Sequence, residues 1–179
     1  MDASLSPNLS RRRFLKLGVG SAVLLAGAGG VAGLALRSDA EPAPGYQVLR
    51  GDDLIFLGAL VPVVLEGCRD AQGRPPLIGD VLGAVDAGLG AVSPAVLVQL
   101  RQLFDVAASP LTRGPLTGVW SRWDTAGPEQ VRAFLERWRE SSLDLLRQGH
   151  NALLQMLQMA WYGLPQSWAQ CGYPGPPAL

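Results

Sequence analysis

One histidine and two cysteines are all that the 179 residues of this chain offer toward metal or thiol chemistry. His150 sits in a helical pattern with no second ligand spaced to meet it. Metal sites need several His, Cys or carboxylate groups converging, so His150 reads as a packing or surface histidine. A Ser-His-Asp arrangement would have to use that same residue, and no Gly-x-Ser-x-Gly elbow accompanies it. Without Cys-x-x-Cys-His or a cluster-binding cysteine run, covalent haem and iron–sulfur ligation are excluded. Asp52-Asp53 is a carboxylate pair, but a helix cap explains it. Trp138, Met156, Met159 and Trp161 recur at helical spacing, which is core patterning rather than a cofactor box. Gly27-Ala28-Gly29-Gly30-Val31-Ala32 fits a dinucleotide fingerprint in letters only, because no strand precedes it. The sequence therefore predicts no catalytic residue, no metal and no cofactor held by this chain.

The elements that would carry such residues are helical. Leu54 to Leu65 repeats apolar residues at helical spacing after Asp52 or Asp53 as cap, with Pro62 imposing a kink or a late start. Ile78 to Leu89 forms a second helix after an Ala71–Pro76 turn, with Asp80 and Asp86 facing outward. Ser93-Pro94 opens a third, with Val96, Leu97, Leu100, Leu103 and Phe104 as its buried stripe. Ser109 to Gly118 reads as a loop, closed by Trp120 and Trp123. From Gly127-Pro128-Glu129, one long helix runs to Pro165, with Val131, Phe134, Trp138, Leu145, Gly149, Leu153 and Ala160 on one face. No alternating run makes a strand, so the class is all-α, a small helical bundle.

The first forty residues have a different character. Ser10-Arg11-Arg12-Arg13-Phe14-Leu15-Lys16 matches the twin-arginine export consensus at every fixed position, carried by Arg11, Arg12, Phe14, Leu15 and Lys16. Leu17 to Leu36 follows without a charge, and Ser38-Asp39-Ala40 supplies a small-residue exit. We expect residues 1–40 to be a signal for a periplasmic destination, cut after Ala40. The rival is an uncut membrane anchor, since Leu17–Leu36 is long enough to span. Its glycines weaken that reading. Residues 41–179 make one domain, opening with a Pro-containing linker, Glu41–Gly45. Beyond Ala40 the formal charge is −3, with no lysine, which excludes the basic face of a nucleic-acid binder.

The twin-arginine route carries folded cargo into an oxidising compartment. There Cys68 and Cys171 allow three readings: an internal disulfide, a bridge from Cys171 to a partner chain, or two buried thiols. The C-terminal segment holds Trp161, Tyr162, Trp168, Tyr173 and Pro174 in an extended, Pro/Gly-rich and nearly uncharged tail. Such aromatics suit a partner interface, and equally a wrap around this chain's own core.

Four segments together resemble a known family. They are the twin-arginine leader, Leu111-Thr112-Arg113-Gly114 to Val119-Trp120, Arg137-Trp138-Arg139-Glu140-Ser141, and Trp161-Tyr162-Gly163 to Gly172-Tyr173-Pro174-Gly175-Pro176. The family is the small subunit of bacterial periplasmic FAD-dependent sugar and polyol dehydrogenases, the type that serves sorbitol, gluconate, fructose and glucose oxidation. The resemblance implies a non-catalytic accessory chain. It would escort a folded flavoprotein large subunit, of the glucose-methanol-choline type, through the twin-arginine translocon and stabilise it. FAD would sit on that partner, and a cytochrome c subunit can complete such complexes. The residues also admit an independent periplasmic helical binding protein, with a small-molecule pocket among Trp120, Trp123, Trp138 and Trp161.

Overall fold

The computed structural model describes residues 40–174. Within them the protein is all-α, as the periodicity predicts. Seven helices follow in order: α1 Gly51–Val64, α2 Ile78–Gly90, α3 Pro94–Ala108, α4 Pro110–Thr117, α5 Pro128–Arg139, α6 Asp144–Gly163 and the one-turn α7 Pro165–Trp168. A 3₁₀ turn, Trp123–Thr125, lies between α4 and α5.

Helix α1 is the hub, packing against α2, α3, the 3₁₀ turn, α5 and α6. Its start is set by Asp53, the third residue of the first turn, whose carboxylate accepts the Arg50 backbone N–H at 2.9 Å. Pro62 falls in the last turn, where the helix continues through it to Val64. The buried face is Phe56, Leu57, Leu60 and Val61. Phe56 meets Trp123 at 5.0 Å between ring centres, Trp123 meets Phe134 at 5.3 Å, and Phe134 meets Trp138 edge-on at 4.8 Å. This aromatic row joins α1, the 3₁₀ turn and α5 into one core.

Three expectations need correction. The long helix expected from Pro128 to Pro165 is two helices, broken at Glu140–Leu143. The Ser141 hydroxyl accepts the Leu143 N–H at 3.1 Å, a local bond that competes with helical continuation. The break lets α6 fold back on α5, where Trp138 packs against Gly149 so closely that an added Cβ would lie 2.8 Å from the indole. Leu145, expected in the stripe, is exposed in the first turn of α6, and Val96, expected in the buried stripe of α3, is exposed in that helix's first turn. Second, Ser109–Gly118 is not a loop but helix α4. Pro110 opens it and Gly118 closes it in the left-handed region at φ 80°. Third, the tail is not extended over its described part. Pro165 starts α7, and Cys171, Gly172 and Tyr173 then turn back, with the Tyr173 N–H bonded to the Trp168 carbonyl at 3.0 Å.

Within the Glu41–Gly45 linker only Pro44 and Gly45 form a turn, closed by the Tyr46 N–H on the Ala43 carbonyl at 3.0 Å, and the Ala43 N–H donates to the Leu49 carbonyl at 2.8 Å. The segment after it is held by one carboxylate. Asp86 of α2 accepts the N–H groups of Gln47, Val48 and Leu49 at 2.7, 2.9 and 2.8 Å.

Candidate functional site

The buried polar residues come first, because catalysis or ligand binding would draw on them. Arg50, Asp53 and Asp105 form an ion cluster at the junction of α1 and α3, each almost fully buried. The Arg50 guanidinium donates through Nε to Asp53 at 2.8 Å and through Nη2 to Asp105 at 2.8 Å. Burial alone would lower the Arg50 pKa, but the two carboxylates outweigh it and raise it. All three side chains are committed to each other, so the cluster is a structural joint between helices.

His150 is also buried. Its Nδ1 lies 3.1 Å from Asn151 Oδ1, and it borders an open groove of about 330 Å³ with Val63, Leu135, Leu154 and Glu136. The Glu136 carboxylate is hydrogen-bonded to Arg139, and its pKa is lowered accordingly. Among the described residues, no group of three or more His, Cys, Asp or Glu side chains is arranged to hold a metal ion. Asp52 is exposed in the first turn of α1 while its neighbour Asp53 belongs to the ion cluster, so the pair is split between two environments.

The tryptophans do not converge on a pocket. Trp123, Trp138 and Trp161 are buried, whereas Trp120 is 76% exposed and lies flat over Gly114. The Trp123 and Trp138 indoles donate to the carbonyls of Ala107 and Leu116, both at 2.9 Å. Trp161 Nε1 finds no acceptor.

The sequence-predicted interface residues separate into two sets. Trp161 is fully buried and leaves the set of surface anchors, because α6 turns that side of itself onto the core. Tyr162 and Tyr173 are each 49% exposed, and Pro174 is exposed beside them in the chain. Trp168 is half-buried, stacked edge-on against Tyr173 at 5.4 Å, with its indole donating to the Tyr162 carbonyl at 3.3 Å. Met159, one turn before Tyr162 on α6, is exposed as well. Gln166 of α7 bonds Asp80 of α2 at 3.1 Å, which brings the exposed Leu77 and Ile78 toward the same end of the bundle. This apolar, aromatic end is the candidate functional surface. Sequence reading missed Met159, Leu77 and Ile78, whose helical spacing looks like core. Leu111 and Trp120, on and after α4, are exposed as well, in a segment that the sequence reads as a loop.

Cys68 and Cys171 are both free thiols, the first half-buried and the second exposed, so the reading as two buried thiols fails. Arg11, Arg12, Phe14, Leu15 and Lys16 lie outside the described residues, and Ala40 is exposed at their edge. No helix among the described residues is long and apolar enough to cross a membrane. No family model, no curated protein and no solved structure matches the chain.

Proposed function

We propose that this chain is a non-catalytic accessory subunit. It escorts a folded FAD-dependent dehydrogenase of the glucose-methanol-choline type through the twin-arginine translocon and stabilises it in the periplasm, in a complex that a cytochrome c subunit can join. The observation that carries the proposal is Ser10-Arg11-Arg12-Arg13-Phe14-Leu15-Lys16 followed by twenty uncharged residues, an address for prefolded cargo. What supports it in the body of the protein is the disposition of polar and aromatic groups. Arg50, Asp53, Asp86 and Asp105 are buried in internal bonds, and the exposed Tyr162 and Tyr173 lie together at one end of the bundle. FAD and the oxidation of a sugar or polyol belong, in this reading, to the partner.

The test is co-expression with a candidate flavoprotein large subunit of the glucose-methanol-choline type. With this chain present, flavoprotein activity appears in the periplasm. Without it, the flavoprotein stays cytoplasmic or insoluble, and replacing Arg11-Arg12 by Lys-Lys strands both proteins. An active periplasmic flavoprotein in cells lacking this chain refutes the escort role. The alternative, an independent small-molecule-binding protein, loses the pocket expected among Trp120, Trp123, Trp138 and Trp161, because three of those rings are buried in the core and the fourth is outside.

A further inference from the structure

We propose that Cys68 and Cys171 are a two-electron thiol–disulfide couple that latches the C-terminal turn onto the end of α1. The argument starts with Gln170. Its side-chain Oε1 accepts the Arg69 N–H at 2.9 Å, and its Nε2 donates to the Gly67 carbonyl at 3.3 Å. These two bonds grip the peptide groups on both sides of Cys68, and the residue after Gln170 is Cys171. Two residues 103 positions apart in sequence are thereby held side by side, before any bond joins them.

Both backbones are fixed at this point. The Cys68 N–H donates to the Leu65 carbonyl at 3.0 Å, in a turn that passes through Gly67 at φ 84°. The Cys171 N–H donates to the Trp168 carbonyl at 3.1 Å, and Gly172 follows at φ 65°. Each cysteine thus ends a helix-terminal turn, and the two turns face one another across the Gln170 carboxamide. Tyr162, at the end of α6, completes the cluster. Its hydroxyl lies near Cys68 and Cys171. The charge of Cys68 foremost, with burial and Cys171 adding to it, raises the phenol pKa above its ordinary 10.0. Tyr162 therefore stays a neutral hydroxyl beside the thiols.

The chemistry needs an oxidant, and any disulfide in an oxidising compartment supplies it. The exposed Cys171 thiolate attacks the reagent disulfide, forming a mixed disulfide and releasing one reagent thiol. The half-buried Cys68 thiolate then attacks Cys171 Sγ, forming the Cys68–Cys171 bond and releasing the second reagent thiol. Two electrons and two protons leave the protein pair and appear on the two thiols released. The consequence is mechanical. The bond ties down the turn that carries Trp168 and Tyr173, so the aromatic end of the bundle is held in place. This inference holds for any partner of that surface and does not depend on the partner's identity.

The test equilibrates the purified protein in oxidised and reduced glutathione and reads intact mass, peptide linkage and thermal melting. The oxidised protein should be monomeric and about 2 Da lighter, with Cys68 and Cys171 peptides joined. It should melt about 10 °C above the reduced form, as expected for closing a loop of about a hundred residues. Cys68→Ser should accumulate glutathione on Cys171, and Cys171→Ser should lose the redox-dependent melting shift. Three results overturn the latch: a disulfide-linked dimer through Cys171 with Cys68 free, a stable glutathione adduct on Cys171 in the unsubstituted protein, or identical melting of the two redox forms.

Discussion

Asp86→Asn changes one atom's chemistry at the point where the chain enters the bundle. The native carboxylate is buried and accepts three backbone donors, two on Oδ1 from Val48 and Leu49 and one on Oδ2 from Gln47. The asparagine oxygen can keep the Val48 and Leu49 bonds, at neutral rather than charged strength. Its amide nitrogen then faces the Gln47 N–H, donor against donor. Losing one charge-assisted bond and weakening two should cost about 2–4 kcal/mol. Asp86→Ala orphans the buried Val48 and Leu49 donors outright and should cost about 3–5 kcal/mol, a large part of the stability of a domain this size. Urea unfolding followed by tryptophan fluorescence measures both. The pH dependence makes the argument specific. Burial by itself would raise the Asp86 pKa, but the three N–H groups outweigh it and hold it below the ordinary 3.8. A carboxyl lowered in the folded state stabilises above its unfolded pKa, and that stabilisation is lost as pH falls through the folded pKa. The gap between native and Asp86→Asn proteins should therefore be full at pH 7 and narrow progressively as pH drops below about 4. A gap within about 0.5 kcal/mol at pH 7, or one that does not change with pH, would refute the reasoning.

Paired substitutions isolate other contacts. Trp138→Phe leaves the Leu116 carbonyl without its donor, whereas Trp161→Phe removes an indole N–H that has no acceptor. Both lose ring volume, so Trp138→Phe should cost about 1–2 kcal/mol more than Trp161→Phe, again by urea unfolding. Gly149→Ala drives a Cβ to 2.8 Å from the buried Trp138 ring and 3.0 Å from Leu103, and should destabilise by about 1–3 kcal/mol despite alanine's helix preference. Gly114→Ala meets Trp120 at 2.5 Å, but that ring is exposed and swings away. Its stability should change by less than about 1 kcal/mol while the Trp120 emission shifts. Arg50→Met leaves Asp53 and Asp105 facing each other, both almost fully buried, and should cost about 3–5 kcal/mol in the same assay.

The helix class and most helix starts were legible because they rest on short-range signals. Ser93-Pro94 and Gly127-Pro128 open helices where the pattern places them. Where the sequence misled, a long-range contact decided. The break at Glu140–Leu143 interrupts a continuous apolar period, and its reward is the Trp138–Gly149 packing, which no local pattern announces. Helix α4 contains Gly114 and Pro115, poor formers that read as loop; Ser109, Pro110 and Gly118 bound it nonetheless. Asp86 looked like an outward-facing residue of α2, because its three partners lie 37 to 39 positions earlier. An internal Cys68–Cys171 disulfide was one of three open readings, and what joins the two turns that carry these thiols is Gln170, an exposed glutamine with no signature of its own.

The tail also connects the latch to the proposed role. A Tyr or Trp side chain that must be ordered on binding gives up about 0.5–1.5 kcal/mol of the affinity it would otherwise supply. The reduced tail is already partly ordered, by the Gln170 bonds and by the Trp168–Tyr173 contact, but these are exposed bonds that open locally. A covalent tie between Cys68 and Cys171 removes those openings without adding a contact to any partner. Oxidation should then tighten binding through slower dissociation, with the association rate little changed. Surface-plasmon measurements on the oxidised and reduced protein against the flavoprotein separate the two rates. A redox effect confined to the association rate would mean that the tail meets the partner first and orders afterwards.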